Sequence, residues 1–271
     1  MTVFLWILAA LLVVFLLYLK ALRGTNGRMT DSMLSTRYAH RGLHNAKKCV
    51  PENSMSAFKL ALEKGYGIEL DLHLTADKQL AVIHDASLKR TAGEDVNVYD
   101  LTADELKNYG LEGTNQKIPM FSEVLELFDG KAPIIVELKS DNGNCAELCE
   151  RTIEALKDYK GEYMIESFDP RCILWLKKNK PEIIRGQLSQ NFLKEKYKGF
   201  LFNLFLTSLL TNAFTRPDFV AYNYKHKKSF PFLLFTKVWQ GQGITWTITS
   251  ADDLTNAEDD GYPVIFESFE P

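Results

Sequence analysis

In the run Gly67-Ile-Glu-Leu-Asp-Leu-His-Leu74, the polar residues Glu69, Asp71 and His73 recur at every second position. Side chains alternate between the two faces of a β-strand, so a strand here points all three to one side. The following Thr75-Ala-Asp-Lys-Gln79 has no room for a helix and reads as a hairpin turn. Folding about Asp77 and Lys78 brings Asp71 roughly opposite His84, which is followed by Asp85. Glu137 and Lys139, in Val136-Glu-Leu-Lys139, repeat the alternate spacing at the end of another strand-type run. Glu69, Asp71 and Glu137 together form an all-oxygen donor set of the kind preferred by hard divalent cations, Mg²⁺ or Ca²⁺, and no His/Cys set suited to zinc accompanies them. Each carboxylate alone would pass for a solvated surface charge. Three of them at strand ends beside histidines point to chemistry.

These residues must be carried by elements that bring their ends together. Strand-type runs occur at Tyr38–Gly42, Gly67–Thr75, Leu80–His84, Pro133–Lys139, Tyr163–Phe168, Ile183–Leu188, Phe219–Tyr224, Gly243–Thr249 and Val264–Glu267. Most are separated by helix-type segments. Asn53 is placed to cap a helix running to about Lys64, Thr102-Ala-Asp-Glu105 is a capping-box pattern, Ser122–Phe128 has helical character, and Asp169-Pro170 is a cap followed by proline. Cys145 and Cys149 share a helical face with Leu148, Thr152 and Leu156 and read as core rather than as ligands. Alternating strands and helices over this length predict an α/β fold, a TIM-like (β/α)8 barrel, in which polar residues at the C-terminal strand ends form the active site. No glycine-rich GxGxxG or GxxxxGK[ST] loop is present to cradle a nucleotide phosphate.

The segments HRG (40–42), PENS (51–54), ELDLHLTAD (69–77), VIHD (82–85), LKRTAG (88–93), IPMFSEVL (118–125) and VELK (136–139) resemble, in content and order, the glycerophosphodiester phosphodiesterase family. The resemblance runs from about Tyr38 to Lys139 and continues more weakly through Glu166-Ser-Phe168 and Ile244-Thr-Trp-Thr-Ile248. It implies a metal-dependent barrel that hydrolyses glycerophosphodiesters to sn-glycerol 3-phosphate and an alcohol. Carried over by position, His40 and His84 match the general acid/base pair, Glu69, Asp71 and Glu137 the ligands of one divalent cation, and Arg41 and Lys139 the groups that meet the phosphate. A phosphodiester is anionic, and two cationic side chains beside a metal suit it. Glu52 is expected to orient Arg41 or a histidine, and Trp246 to line the alcohol end of the pocket or to belong to the barrel core. His73 is near enough to face the site, and His44 reads as a loop residue. The chain departs from the family pattern at Thr249, where asparagine is usual, and at Phe266-Glu267-Ser268-Phe269, which stands in place of Thr-Asp-x-Pro. Both departures bear on substrate selectivity.

Val3–Leu19 contains neither charge nor proline and would form a helix about 26 Å long, close to the thickness of a bilayer's hydrocarbon core. No basic residue precedes it, whereas Lys20, Arg23 and Arg28 follow, a pattern of an uncleaved single-pass anchor with the chain after it in the cytoplasm. The organisation expected is an anchor over residues 1–22, a linker over 23–35 with Gly24-Thr25-Asn26-Gly27 as a flexible tether, and a catalytic domain over 36–271. Four cysteines without CxxC spacing suit free thiols in a reducing compartment. Gly199–Phe214 is also apolar, with Asn203, Thr207, Ser208 and Thr211 on one side and Phe202, Leu206, Leu209 and Leu210 on another. It reads either as a buried capping helix or as an interfacial helix at a membrane, and the basic cluster Lys225-His226-Lys227-Lys228 favours the membrane. With 32 Lys+Arg against 35 Asp+Glu, the net charge is −3, so no basic field is available to hold nucleic acid. The partners expected are a glycerophosphodiester or lysophospholipid and the membrane; no sequence feature indicates a protein partner. The readings left open are a soluble-diester hydrolase, a lysophospholipase D at the membrane surface, and a catalytically silent tethered binding module.

Overall fold

Short runs of β-branched and aliphatic residues separated by helices can bury both faces only as parallel strands beneath a helical layer. The computed structural model describes residues 2–141, 143–196 and 199–271. Its strands are β1 (Tyr38–His40), β2 (Gly67–Leu74), β3 (Leu80–Val82), β4 (Ile134–Leu138), β5 (Tyr163–Ser167), β6 (Arg185–Ser189), β7 (Phe219–Asn223), β8 (Gln242–Ile248) and β9 (Val264–Phe266). The sheet order is β1-β9-β8-β7-β6-β5-β4-β2-β3, and a further β1–β2 pairing closes it. Eight parallel strands thus form a TIM barrel, and β3 lies outside it as the antiparallel arm of the hairpin.

The barrel interior is divided by height. Its lower layer holds Tyr38, Ile135, Met164, Phe219, Ile244 and Ile265, closed from below by Met33 of the short helix Asp31–Ser35. Outside, Ile68, Leu70, Leu72 and Val136 pack on Phe58 of the helix Met55–Glu63 and on Val124 and Phe128 of the helix Phe121–Phe128. Residues 80–120 form an excursion between β2 and β4 with a small core of its own that includes Ile83, Leu88, Val98, Leu106 and Ile118. The capping box at Thr102 and the Asp169-Pro170 start are both formed. The cap before the helix Met55–Glu63 is Ser54 rather than Asn53, because the Asn53 side chain is turned into the barrel. The cysteines are free, and Cys172 joins Cys145 and Cys149 in the core.

Thr2–Leu22 is one continuous helix, long and apolar enough to cross a membrane. Its C-terminal end does not hang on a tether. Leu22 is fully buried with Leu209, Val220, Tyr222, Phe232 and Phe235 on the outside of β7. A helix end leaves carbonyls without intrahelical partners. Here Arg216 donates to the carbonyl of Lys20 at 3.0 Å, Asn212 to Leu22 at 3.1 Å and Trp239 Nε1 to Leu19 at 2.8 Å. The segment expected to be a flexible tether is likewise docked: the Thr25 amide donates to the Pro217 carbonyl at 2.8 Å, and a Cβ on Gly24 would meet that carbonyl at 2.6 Å.

Gly199–Phe214 is not one helix. Phe200–Thr207 is helical, the chain turns at Leu209 with a positive φ of 55°, and Asn212–Thr215 forms a second short helix. The two sides divide differently from the expectation: Leu209 enters the core with Asn203, Thr207 and Thr211, whereas Phe200, Leu201, Leu204 and Phe205 face outward.

Candidate active site

Residues paired across parallel strands point to the same side, so the register assembles the site. His40 pairs with Glu69, Asp71 with Glu137, and Glu137 with Glu166, which places these groups in the upper barrel interior at the C-terminal strand ends. Asp71 lies opposite Ile83 in the hairpin, one residue short of His84, which sits just beyond the last pair. Carboxylate oxygens of Glu69, Asp71 and Glu137 lie within 4.8 Å of one another, all buried. Three buried like charges at that spacing are stable only with protons or cations among them. Lys139 Nζ supplies one positive charge, 2.7 Å from Glu137 and 3.1 Å from Asp71, and Arg41 Nε lies 3.5 Å from Asp71.

The electrostatics of the cluster are uneven. Burial pushes Asp71 up, but Lys139, His84 and Arg41 outweigh it and hold the carboxylate well below its usual range. Burial and the neighbouring Asp71 and Glu137 push Glu69 well above its usual value. Glu137 is pushed up to about 7 by burial, against the pull of Lys139 and with the help of Asp71. A buried all-oxygen set with raised carboxyls can hold a hard divalent cation, which would take the place of those protons. Lys139 stays protonated because Asp71 and Glu137 overcome its burial.

Each histidine is held through one nitrogen. His40 Nδ1 lies 2.6 Å from Glu267 Oε2, and His84 Nδ1 lies 2.6 Å from Asp85 Oδ1. An ionised carboxylate only accepts, so both rings carry the proton on Nδ1 and leave Nε2 free. His40 Nε2 faces Glu69 at 3.8 Å. Burial lowers the pKa of both imidazoles, and the carboxylates of Glu267 and Asp85 pull each of them back up. Arg41 lies at the sharp turn after β1, where its φ is 55° and its amide donates to Glu69 at 3.1 Å. Gly42 completes that turn at φ 79°, with no space for a Cβ, which would meet the Ala57 Cβ at 2.8 Å.

The remaining expected residues are also placed. Glu52 accepts from Arg41 at 2.9 Å and from Arg90 at 2.7 Å, and Arg90 in turn grips Asp85, so a single chain of ion pairs links the Arg41 turn to the His84 turn. Trp246 is half-buried: it packs on the lower barrel layer and also meets Phe168 edge-on at 5.7 Å. Phe168 is in turn 6.2 Å from Phe192, giving an aromatic wall opposite the charged strands. His73 turns from the cavity to the carbonyl of His84, 3.0 Å from Nε2. His44 lies at the rim, 3.9 Å from Glu267.

Sequence reading missed three polar residues. Asn53 donates to Asp71 Oδ2 at 2.8 Å instead of capping the helix, since asparagine before a helix suits either role. Glu166 is buried beside Glu137, and its carboxyl is driven well above its usual value by burial and by that neighbour. Its place in the run Tyr163–Phe168 was the available signal. Glu267, a departure from the family pattern, is the hydrogen-bond partner of His40 at 2.6 Å.

The chain matches the glycerophosphoryl diester phosphodiesterase family over residues 40–228. It is 37% identical over 169 residues to a glycerophosphodiester phosphodiesterase of Caldanaerobacter subterraneus subsp. tengcongensis, an alignment covering 59% of this chain and 68% of that one. It is also 37% identical over 150 residues to a lysophospholipase D of Rattus norvegicus, covering 51% of this chain but only 46% of the rat protein. Among solved structures, a phosphodiesterase of Oleispira antarctica in complex with the product sn-glycerol-3-phosphate superposes with a TM-score of 0.71 at 22% identity, over 87% of this chain and 94% of that one. A glycerophosphodiester phosphodiesterase of Thermotoga maritima superposes with a TM-score of 0.65 at 25% identity, over 84% and 92%.

Proposed function

The chain belongs to the glycerophosphoryl diester phosphodiesterase family and is by class a phosphoric diester hydrolase, and on that premise we propose that it cleaves glycerophosphodiesters to sn-glycerol 3-phosphate and an alcohol by two-histidine catalysis. The observation that carries the proposal is the convergence of Glu69, Asp71 and Glu137 within 4.8 Å at the barrel mouth, between two cationic side chains and two imidazoles. A single Mg²⁺ or Ca²⁺ held by these three carboxylates would neutralise charge on the phosphoryl oxygens.

The protein's own groups do the rest. Arg41 and Lys139 hold the anionic diester, and Glu52 keeps the Arg41 guanidinium aimed. One neutral imidazole accepts a proton through Nε2 from the attacking oxygen as it bonds to phosphorus: water gives glycerol 3-phosphate directly, and the substrate's glycerol hydroxyl gives a cyclic phosphate that water then opens. The other, protonated, gives a proton to the alcohol oxygen as the P–O bond breaks. Glu267 and Asp85 stabilise whichever ring carries the extra proton. The Phe168–Phe192–Trp246 wall supports a second substrate, a lysophospholipid whose acyl chain lies on the aromatic side, and the likeness to the rat lysophospholipase D agrees with it. The docked helix Thr2–Leu22 supports a single-pass membrane anchor rather than a cleaved leader, since removing it would strip Leu22 from the core. The basic residues after the span support a cytoplasmic domain.

The decisive experiment is release of glycerol 3-phosphate from glycerophosphocholine by the full chain in detergent, with Mg²⁺, Ca²⁺ or EDTA. Metal-dependent release is expected; release undiminished by EDTA would refute the assignment of the three carboxylates.

A further inference from the structure

The direction in which the anchor leaves the barrel follows from its contacts. Thr207 accepts from the Leu193 amide, and Leu193 lies just past the C-terminal end of β6, so Thr207 stands at the height of the catalytic mouth. From there the chain descends to Arg216 and Pro217, just before the N-terminal end of β7. The anchor runs beside this descent: Leu22 meets Asn212 low down, and Tyr18 donates to the Ser208 carbonyl at 3.1 Å higher up. Followed from Leu22 towards its N-terminus, the helix therefore rises past the mouth, and its free residues 2–17, about 24 Å long, project beyond it.

The helix Phe200–Thr207 lies at that same level beside Tyr18. Its sides are reversed for a soluble protein: Asn203 and Thr207 are 3% and 7% exposed, whereas Phe200 and Leu201 are 68% and 78% exposed, with Leu204 and Phe205 beside them. Lys194 and Lys196 before it, and Lys225 and Lys228 after the end of β7, are exposed on the same end of the barrel. An outward apolar face bordered by lysines is the pattern of a helix lying in the headgroup region of an anionic bilayer.

We propose that Phe200–Thr207 lies in the headgroup–acyl boundary of the bilayer holding Thr2–Leu22, so that the catalytic mouth faces the lipid surface and takes its phosphodiester from it. This rests on the anchor reading above and deepens it by fixing orientation and route. Phe192, in the short helix that packs on Phe200–Thr207, touches Phe168, which touches Trp246. That contact path leads from the lipid-facing helix to Trp246 of β8.

The test uses the full chain in vesicles of phosphatidylcholine and phosphatidylglycerol. With the exposed Cys49 replaced by serine, an environment-sensitive fluorophore is attached at Leu201→Cys or, at the opposite end of the barrel, at Lys157→Cys. Blue-shifted emission quenched by acyl-chain doxyl lipids is expected at 201 and not at 157. Vesicle-bound protein with equal, water-like emission at both positions would overturn the proposal while leaving the anchor intact. Protein that does not float with vesicles would overturn both. The variant Leu201→Asp/Phe205→Asp should lose at least about tenfold in turnover of vesicle-borne lysophosphatidylcholine, with turnover of soluble glycerophosphocholine unchanged. Equal turnover of the vesicle substrate by this variant would refute the route.

Discussion

Single residues in the site act through partners that set their charge. His40→Ala or His84→Ala should lower kcat for glycerophosphocholine by about 10²–10⁴-fold without changing divalent-ion affinity; wild-type turnover in either variant would remove the acid/base pair. Glu267→Gln retains the size of the His40 partner but removes its charge, and should lower kcat by roughly tenfold or more with little effect on KM. Glu137 makes a prediction whose sign is fixed. Its folded pKa of about 7 exceeds its ordinary value of 4.5, so its contribution to stability is complete below the ordinary value and is lost as pH rises through the folded one. The depressed Asp71 works in the opposite sense, but only in strongly acid solution. Because His40 and His84, lowered by burial, and Glu69 and Glu166, raised by it, titrate alongside, the Glu137 share is read against Glu137→Gln: metal-free wild type should lose up to about 3 kcal/mol relative to that variant between about pH 5 and 8. Equal pH slopes of the melting temperature in the wild type and Glu137→Gln would mean that Glu137 is already ionised against Lys139.

At the scale of elements, the β2–β3 hairpin and the excursion over residues 80–120 exist in this site to bring His84 over the carboxylates. The excursion has its own small core, and it is tied to the barrel by the His73 contact with the His84 carbonyl, by the Ile83–Asp71 backbone bond and by the side-chain path Arg41–Glu52–Arg90–Asp85. Arg90→Ala cuts this path without touching substrate or metal. It should cost about 1–3 kcal/mol of local ordering at the His84 turn, read as faster amide exchange over 84–92, and should lower kcat more than metal affinity. Unchanged exchange there would show that the small core and the bonds to His73 and Asp71 position His84 without the ion pairs.

For the whole molecule, the C-terminal end of the helix Thr2–Leu22 is packed against the outside of the barrel. Truncation before Leu17 keeps Tyr18, Leu19 and Leu22 in their contacts, whereas truncation after Leu22 uncovers Leu209, Tyr222, Phe232 and Phe235. The shorter chain should be less stable by about 2–3 kcal/mol, a fall in Tm of at least about 4 °C relative to the longer one. Identical melting of the two truncations would show that the helix is only tethered.

The sequence by itself determined the barrel, the family and the gathering of Glu69, Asp71 and Glu137, because polar residues at period two in buried strands share one face and the motif order from His40 to Lys139 is dense. It could not determine the partners reached across the closed sheet. Glu267 meets His40 only because β9 closes against β1, a pairing between chain ends that local periodicity does not encode. Asn53 has the sequence context of a cap for the same reason: its partner Asp71 belongs to β2, a separate element. The Gly24–Gly27 segment has tether composition, yet Pro217 and Trp239 supply hydrogen-bond partners from far along the chain. In Phe200–Thr207 the pattern revealed two sides, but only packing against the barrel decided that the polar side turns inward and the apolar side out.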